Sequence, residues 1–322
     1  MMALRMAGQH VVGRRGCACA FAHGCSIASG THARSFSRST SGSSASLVSW
    51  GASDGLGLGV GRSAADYPLY LPYFVDVGAN KLPTKVAVGT NHAAAIIQDA
   101  IDATSSPQLF MTGLNTQRQL GSTTNDQMLT TFKASALPDD AVPRDVDCGR
   151  CHSVVVSDAG VFATGLNSLG QCGAGASLRT LPTWQRVYDG DVDDVVSVTC
   201  GLDHTLLLLK DGTVLVSGWT ADGQTGLPGM TANAHTFTRI PGLEGVISVS
   251  AGADTTLFLT QALDDGAYTW GTGALGSHGH ADNNHHPHAI VSTPTRLVCG
   301  RVLGAACGSE ASILIVTPEG SQ

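Results

Sequence analysis

Short apolar runs of four to six residues recur along the chain, and each is bounded by Gly, Asp, Asn or Ser. "HSVVVSDAGVFATG" (His152 to Gly165) and "HTLLLLKDGTVLVSG" (His204 to Gly218) each read as strand, turn with Asp and Gly, strand, the pattern of an antiparallel hairpin. "DVVSVTCG" and "GVISVSAG" place a further strand just ahead of such a hairpin. The pattern predicts an all-β chain of many short strands.

The hairpins repeat. One landmark is a Gly, a polar pair and an apolar strand, at Gly89, Gly149, Gly201, Gly252 and Gly308. His92, His152 and His204 stand three places after that Gly in the first three copies, with Thr255 and Ala311 in the last two. A second landmark ends its strand in Gly and opens a Gly-rich turn, at Gly51, Gly113, Gly165, Gly218 and Gly271. Both keep a period of about 52 residues, the signature of a repeat architecture. Three to four short strands per period make a propeller blade. A residue that recurs at one phase of every blade ties strands together, so the three histidines are expected to be structural hydrogen-bonding positions, not catalysts.

"CGLDHTLLLLKDGTVLVSGWTADGQTG" (Cys200 to Gly226) resembles the repeat of the regulator of chromosome condensation family, and the resemblance runs from Leu47 to Gly320. It implies a β-propeller that binds proteins. Family members usually have seven blades, whereas the landmarks here count about five. The expectation is a closed five-bladed ring; a chain short of two repeats is the competing reading. The last hairpin, "SILIVTPEG", has no second strand, and the first landmark strand, "SLVSWG" (Ser46 to Gly51), has no hairpin before it. Pairing these two strands is expected to close the ring and remove an open edge.

Composition adds an address. The first 53 residues hold Arg5, Arg14, Arg15, Arg34 and Arg38 but no Asp or Glu. Arg-rich, Ser-rich and acid-free is the composition of a mitochondrial transit peptide, and "ARSFSRS" (Ala33 to Ser39) resembles a matrix-processing site. Residues 1–46 are read as leader and 47–322 as the propeller. The expected location is mitochondrial, in the matrix or associated with the inner membrane. With 43% hydrophobic residues the chain can bury a large core, and its net charge of −7 argues against direct DNA binding.

Candidate chemistry is sparse. "DGLGLGVG" (Asp54 to Gly61) lacks the phase and the following Lys of a phosphate loop. "CGRC" (Cys148 to Cys151) has zinc or redox spacing, but Cys148 shares its phase with Cys200 and Cys307, which have no second Cys, so packing explains it. "SHGHADNNHHPH" places His278, His280, His285, His286 and His288 in one loop at no repeat phase. No metal and no cofactor is expected. Two acidic stretches do share a phase: Asp139, Asp140, Asp145 and Asp147 before one blade, and Asp189, Asp191, Asp193 and Asp194 before the next. Stacked in register they form an acidic rim for a basic partner.

The resemblance implies a regulator, not a hydrolytic enzyme. Its best-known member accelerates nucleotide exchange on a small GTPase, and its mitochondrial members are linked with a fusion GTPase and with ribosome assembly. The expected function is therefore a monomeric mitochondrial scaffold or exchange factor for a GTPase or ribosome-assembly partner, with peripheral inner-membrane association. The alternatives are a nuclear or cytosolic exchange factor and a propeller hydrolase or lyase.

Overall fold

The structure, a computed structural model, describes residues 46–51, 59, 61, 69–102, 104–122, 126–261, 266–272, 279, 290–297, 302–308 and 311–317. Twenty strands run through them, with two short 3-10 turns. Four sheets have four antiparallel strands in chain order, innermost first. Blade one is β3 (Lys81–Val88), β4 (His92–Asp99), β5 (Gln108–Leu114) and β6 (Met128–Ala134). Blade two is β7 (Pro143–Cys148), β8 (His152–Ser157), β9 (Val161–Leu166) and β10 (Thr180–Arg186). Blade three is β11 (Val195–Cys200), β12 (His204–Leu209), β13 (Val214–Gly218) and β14 (Ala234–Arg239). Blade four is β15 (Val246–Ala251), β16 (Thr255–Thr260), β17 (Ala267–Thr272) and β18 (Ile290–Arg296). The upper end of each blade is where the inner strand finishes at its landmark Gly; the lower end carries the turn between the second and third strands and the links between blades.

The second strand of each blade is buried on both faces, as its unbroken apolar run requires. Successive sheets pack face to face through apolar clusters, such as Ile96, Met111, Val146, Val155 and Trp184 between blades one and two. Trp270 and Phe258 are fully buried between blades three and four. Each such aromatic contributes about 2–3 kcal/mol of burial. The second-landmark glycines need to be Gly twice over. Gly165 and Gly218 have φ of 102° and 120°, and a Cβ on either would strike the carbonyl of the residue before the blade's His.

The ends do not close the ring as expected. β1 (Leu47–Gly51) pairs with β2 (Leu69–Val75), and β19 (Val302–Cys307) pairs with β20 (Ser312–Val316), as two separate two-stranded sheets. Their registers identify them as complementary half-blades. Gly51 opposes Leu69 as Gly218 opposes Ala234, and Cys307 opposes Ser312 as Cys200 opposes Thr205. No ladder joins β1 to β20 among the described residues, and Trp50 and Ile313 are 54% and 59% exposed. Each terminal strand instead forms its ladder with its neighbour in sequence, β1 with β2 and β20 with β19. The count of about five blade equivalents holds; the terminal strand pairing does not.

Candidate protein-binding faces

One relay repeats between blades. Ser153 Oγ, at the start of β8, donates to the Gln119 carbonyl of blade one at 2.8 Å, so its lone pair must accept from His92 Nε2 at 2.8 Å. Thr205 likewise donates to Gln171 O at 2.7 Å and meets His152 Nε2 at 2.9 Å; Thr256 donates to Gln224 O at 3.1 Å and meets His204 Nε2 at 3.1 Å. With each hydroxyl proton committed, every histidine is the Nε2–H tautomer. Their Nδ1 atoms are buried without a protein partner. Burial lowers the pKa of His92 to about 4, His152 to about 3 and His204 to about 4, so all three stay neutral. This is a structural joint between blades.

The relay's glutamines reach on to the upper face. Gln171 Nε2 donates to Asp203 at 3.2 Å, and Arg150 forms an ion pair with the same carboxylate at 2.6 Å. Gln224 Nε2 approaches Asp254 at 3.4 Å, and Trp219 Nε1 donates to Asp222 at 2.7 Å. Burial, then the charges of Asp222 and Asp203, raise the Asp254 pKa. The upper mouth is therefore a fixed network of Arg150, Asp203, Asp222 and Asp254. These residues were not among the sequence candidates. The signal was present in the Gln that recurs at 119, 171 and 224, the last two of which reach Asp203 and Asp254, the residues before His204 and Thr255.

Below this mouth, a cavity of about 360 Å³ runs between the inner strands, past Gly89, Gly149, Gly201, Gly252 and Gly308. A Cβ on each of the first four would meet the carbonyl of the next, so these glycines mark where neighbouring blades come closest. Cys148, Cys200 and Cys307 border the cavity as free, buried thiols, and burial pushes the Cys148 thiol well above its usual range. Among the described residues no group of three or more His, Cys, Asp or Glu could hold a metal ion.

The two acidic stretches separate on closer view. Asp189, Asp191, Asp193 and Asp194 are exposed at the lower end, as are Asp139 and Asp140. Asp145 and Asp147 lie on β7 and are not part of that rim. Asp145 is buried, forms an ion pair with Lys85 at 2.5 Å, and accepts from the Val146 and Val198 amides. Asp147 accepts from the Cys148 and Cys200 amides at 2.9 and 2.8 Å. It borders the cavity, but the surrounding walls desolvate it and raise its pKa to about 7, against the pull of those two amides. Both carboxylates clamp β7 to β11. The His cluster at 278–288, the leader and the final "PEG" lie outside the described residues.

Comparison with known proteins sets these faces in context. A sequence model of the regulator of chromosome condensation (RCC1) repeat matches residues 195–224. The chain is 39% identical over 140 residues to the RCC1-like G exchanging factor-like protein of Mus musculus, a match covering 42% of this chain and 30% of that protein. It is 31% identical over 265 residues to Protein pim1 of Schizosaccharomyces pombe, covering 74% of this chain and 46% of that one. The chain thus spans less than half the length of these curated relatives. The crystal structure of human WBSCR16 superposes with a TM-score of 0.68 at 28% identity, over 84% of this chain and 72% of that one. Yeast RCC1 (Prp20), solved bound to Kap60, shares the fold with a TM-score of 0.69 at 20% identity, over 85% of this chain and 63% of that one.

Proposed function

Because the chain belongs to the RCC1-repeat family, we propose that it is a protein-binding propeller that promotes guanine-nucleotide exchange on a GTPase, and that it works in the mitochondrion. The likeness to a protein named as an exchanging factor supports the activity. Exchange needs no nucleophile and no metal from the propeller. A partner that grips the nucleotide-free GTPase most tightly weakens nucleotide binding by the same factor. What it does need is a rigid surface, and the blade joints provide one at each end. The lower rim offers Asp139, Asp140, Asp189, Asp191, Asp193 and Asp194 to a basic partner. The upper mouth offers Arg150, Asp222 and Asp254, already held by neighbours.

The test is release of a fluorescent GDP analogue from GTPases of mitochondrial extracts, small and dynamin-related, with and without the full chain. Accelerated release is expected from one of them. Asp189, Asp191, Asp193 and Asp194 changed together to Asn should slow association and flatten its salt dependence; Arg150→Ala with Asp222→Asn should act instead if the upper face makes the contact. Failure of the chain to retain any nucleotide-free GTPase would remove the reading. The address is tested apart from the activity: residues 1–46 fused to a soluble reporter should carry it into mitochondria of respiring cells, and an uncut cytosolic reporter would refute it.

A further inference from the structure

The two half-blades divide one blade between them. β1 and β2 take the third and fourth positions, β19 and β20 the first and second. What neither has is the central ladder, second strand against third, which every full blade makes in one register. His92, His152, His204 and Thr255 oppose Gly113, Gly165, Gly218 and Gly271. Carried to the half-blades, that register sets Gly51 against Ala311, Trp50 against Ser312, Ser49 against Ile313, Val48 against Leu314 and Leu47 against Ile315. Among the described residues β1 has β2 as its one ladder neighbour, and β20 has β19.

Both strands have the sequence of an interior strand. In β12, Leu206 and Leu208 are 1% and 4% exposed, whereas Ile313 and Ile315, at the same places in β20, are 59% and 57% exposed. Val48 and Trp50 of β1 are exposed as well. Strands that stay at an edge carry charge or proline, which discourage pairing with another chain. The outer strands of the full blades do: Lys133 in β6, Pro182 and Arg186 in β10, Arg239 in β14, Pro294 and Arg296 in β18. "LVSWG" in β1 and "SILIV" in β20 have neither.

Within one copy the half-blades flank the series of four full blades at its two ends. The Gly61 amide, downstream of β1, donates to Thr130 O of blade one at 2.7 Å, and the Cys307 amide of β19 donates to Ser250 Oγ of blade four at 2.9 Å. A second copy offers each edge the strand it lacks, in the register of the full blades and with no charge buried at the junction. We propose that copies of this chain associate head to tail, β20 of one adding to β1 of the next and completing a four-stranded blade across the junction. Main-chain hydrogen bonds along the added strand supply the affinity, and the apolar side chains on either side of it fix the register. Such a contact is heterologous, so it repeats along a series of copies until the series closes on itself.

The experiment mixes two separately purified full chains, one carrying Ser49→Cys and the other Ile313→Cys, in a buffer of oxidised glutathione. It involves no GTPase, so it stands or falls apart from the exchange reading. Mass spectrometry should find the two introduced thiols linked between copies, since directly opposed positions on paired strands stand within disulfide reach. Leu314→Cys in place of Ile313→Cys should not link to Ser49→Cys, because a shift of one residue turns the side chain to the other face. Sedimentation of the unaltered chain should show a mass that rises with concentration. Trp50→Lys, and separately Ile315→Lys, should raise the concentration of half-association about tenfold or more, with urea unfolding of the dilute chain unchanged. The mass of a single copy at every concentration overturns the proposal. So does a chain carrying both Ser49→Cys and Ile313→Cys that links only within itself, which would mean closure of its own ring, and so does linkage that ignores register, which would mean random collision.

Discussion

Replacing His152 with Gln tests the blade joint through its pH dependence. The imidazole is fully buried, donates to Thr205 and has a pKa lowered to about 3, against an unfolded value of 6.5. A depressed folded pKa means that the unfolded chain binds the proton first. Stability is then fully present above pH 6.5 and is lost as pH falls toward the folded pKa. At pH 5 one such histidine withdraws about 2 kcal/mol relative to pH 8, and His92, His152 and His204 together about 6 kcal/mol. Asp147 acts in the opposite sense. Its pKa is raised to about 7, so it favours the fold at low pH and loses that contribution as pH rises from about 4 to 7. The profile should therefore rise less steeply than the histidines alone dictate. Urea unfolding followed by tryptophan fluorescence at pH 8, 7, 6 and 5 measures it. His152→Gln should cost about 1–2 kcal/mol at pH 8 through the disturbed hydrogen bond, and should remove about 2 kcal/mol of the fall between pH 8 and pH 5. Parallel curves for the two proteins over that range would refute the reasoning.

Two further substitutions probe the frame. Lys85→Met should lower stability by about 2–4 kcal/mol, seen as a reduced melting temperature, because it strands the buried Asp145 carboxylate without its cation. Gly165→Ala should cost about 2 kcal/mol or more in urea unfolding, since its φ is 102° and its Cβ would meet the Cys151 carbonyl; Gly175→Ala, at φ 81° with open space around it, should cost only about 1 kcal/mol.

The hairpins and their phase were legible because buried second strands need unbroken apolar runs and because the turns need Gly; both constraints are local. β10 and β14 were harder to read, since their outer faces are polar and their sequences, "TLPTWQR" and "AHTFTR", alternate weakly. Asp145 and Asp147 look like members of an acidic rim in sequence. Their true partners are amides on β11, more than 50 residues away, which no local pattern displays. The terminal strands were assigned to the correct blade positions. Their ladders, however, run to their sequence neighbours β2 and β19, not to each other.

The histidine joints have a direction. Each blade supplies the imidazole and waits for the next to supply the hydroxyl, so during synthesis His92 has no partner until Ser153 has emerged, and His204 none until Thr256. Assembly is thereby coupled from the amino end forward, each blade locked by its successor. The sequence of locks stops at blade four, where Thr255 takes the histidine's place and turns its hydroxyl to Thr272 within its own sheet. The half-blade of β19 and β20 is held instead by the Cys307 amide on Ser250 and by the small cluster around Leu257 and Val302. Under load or heat the propeller should come apart from that end, like a zip whose last tooth was left unset.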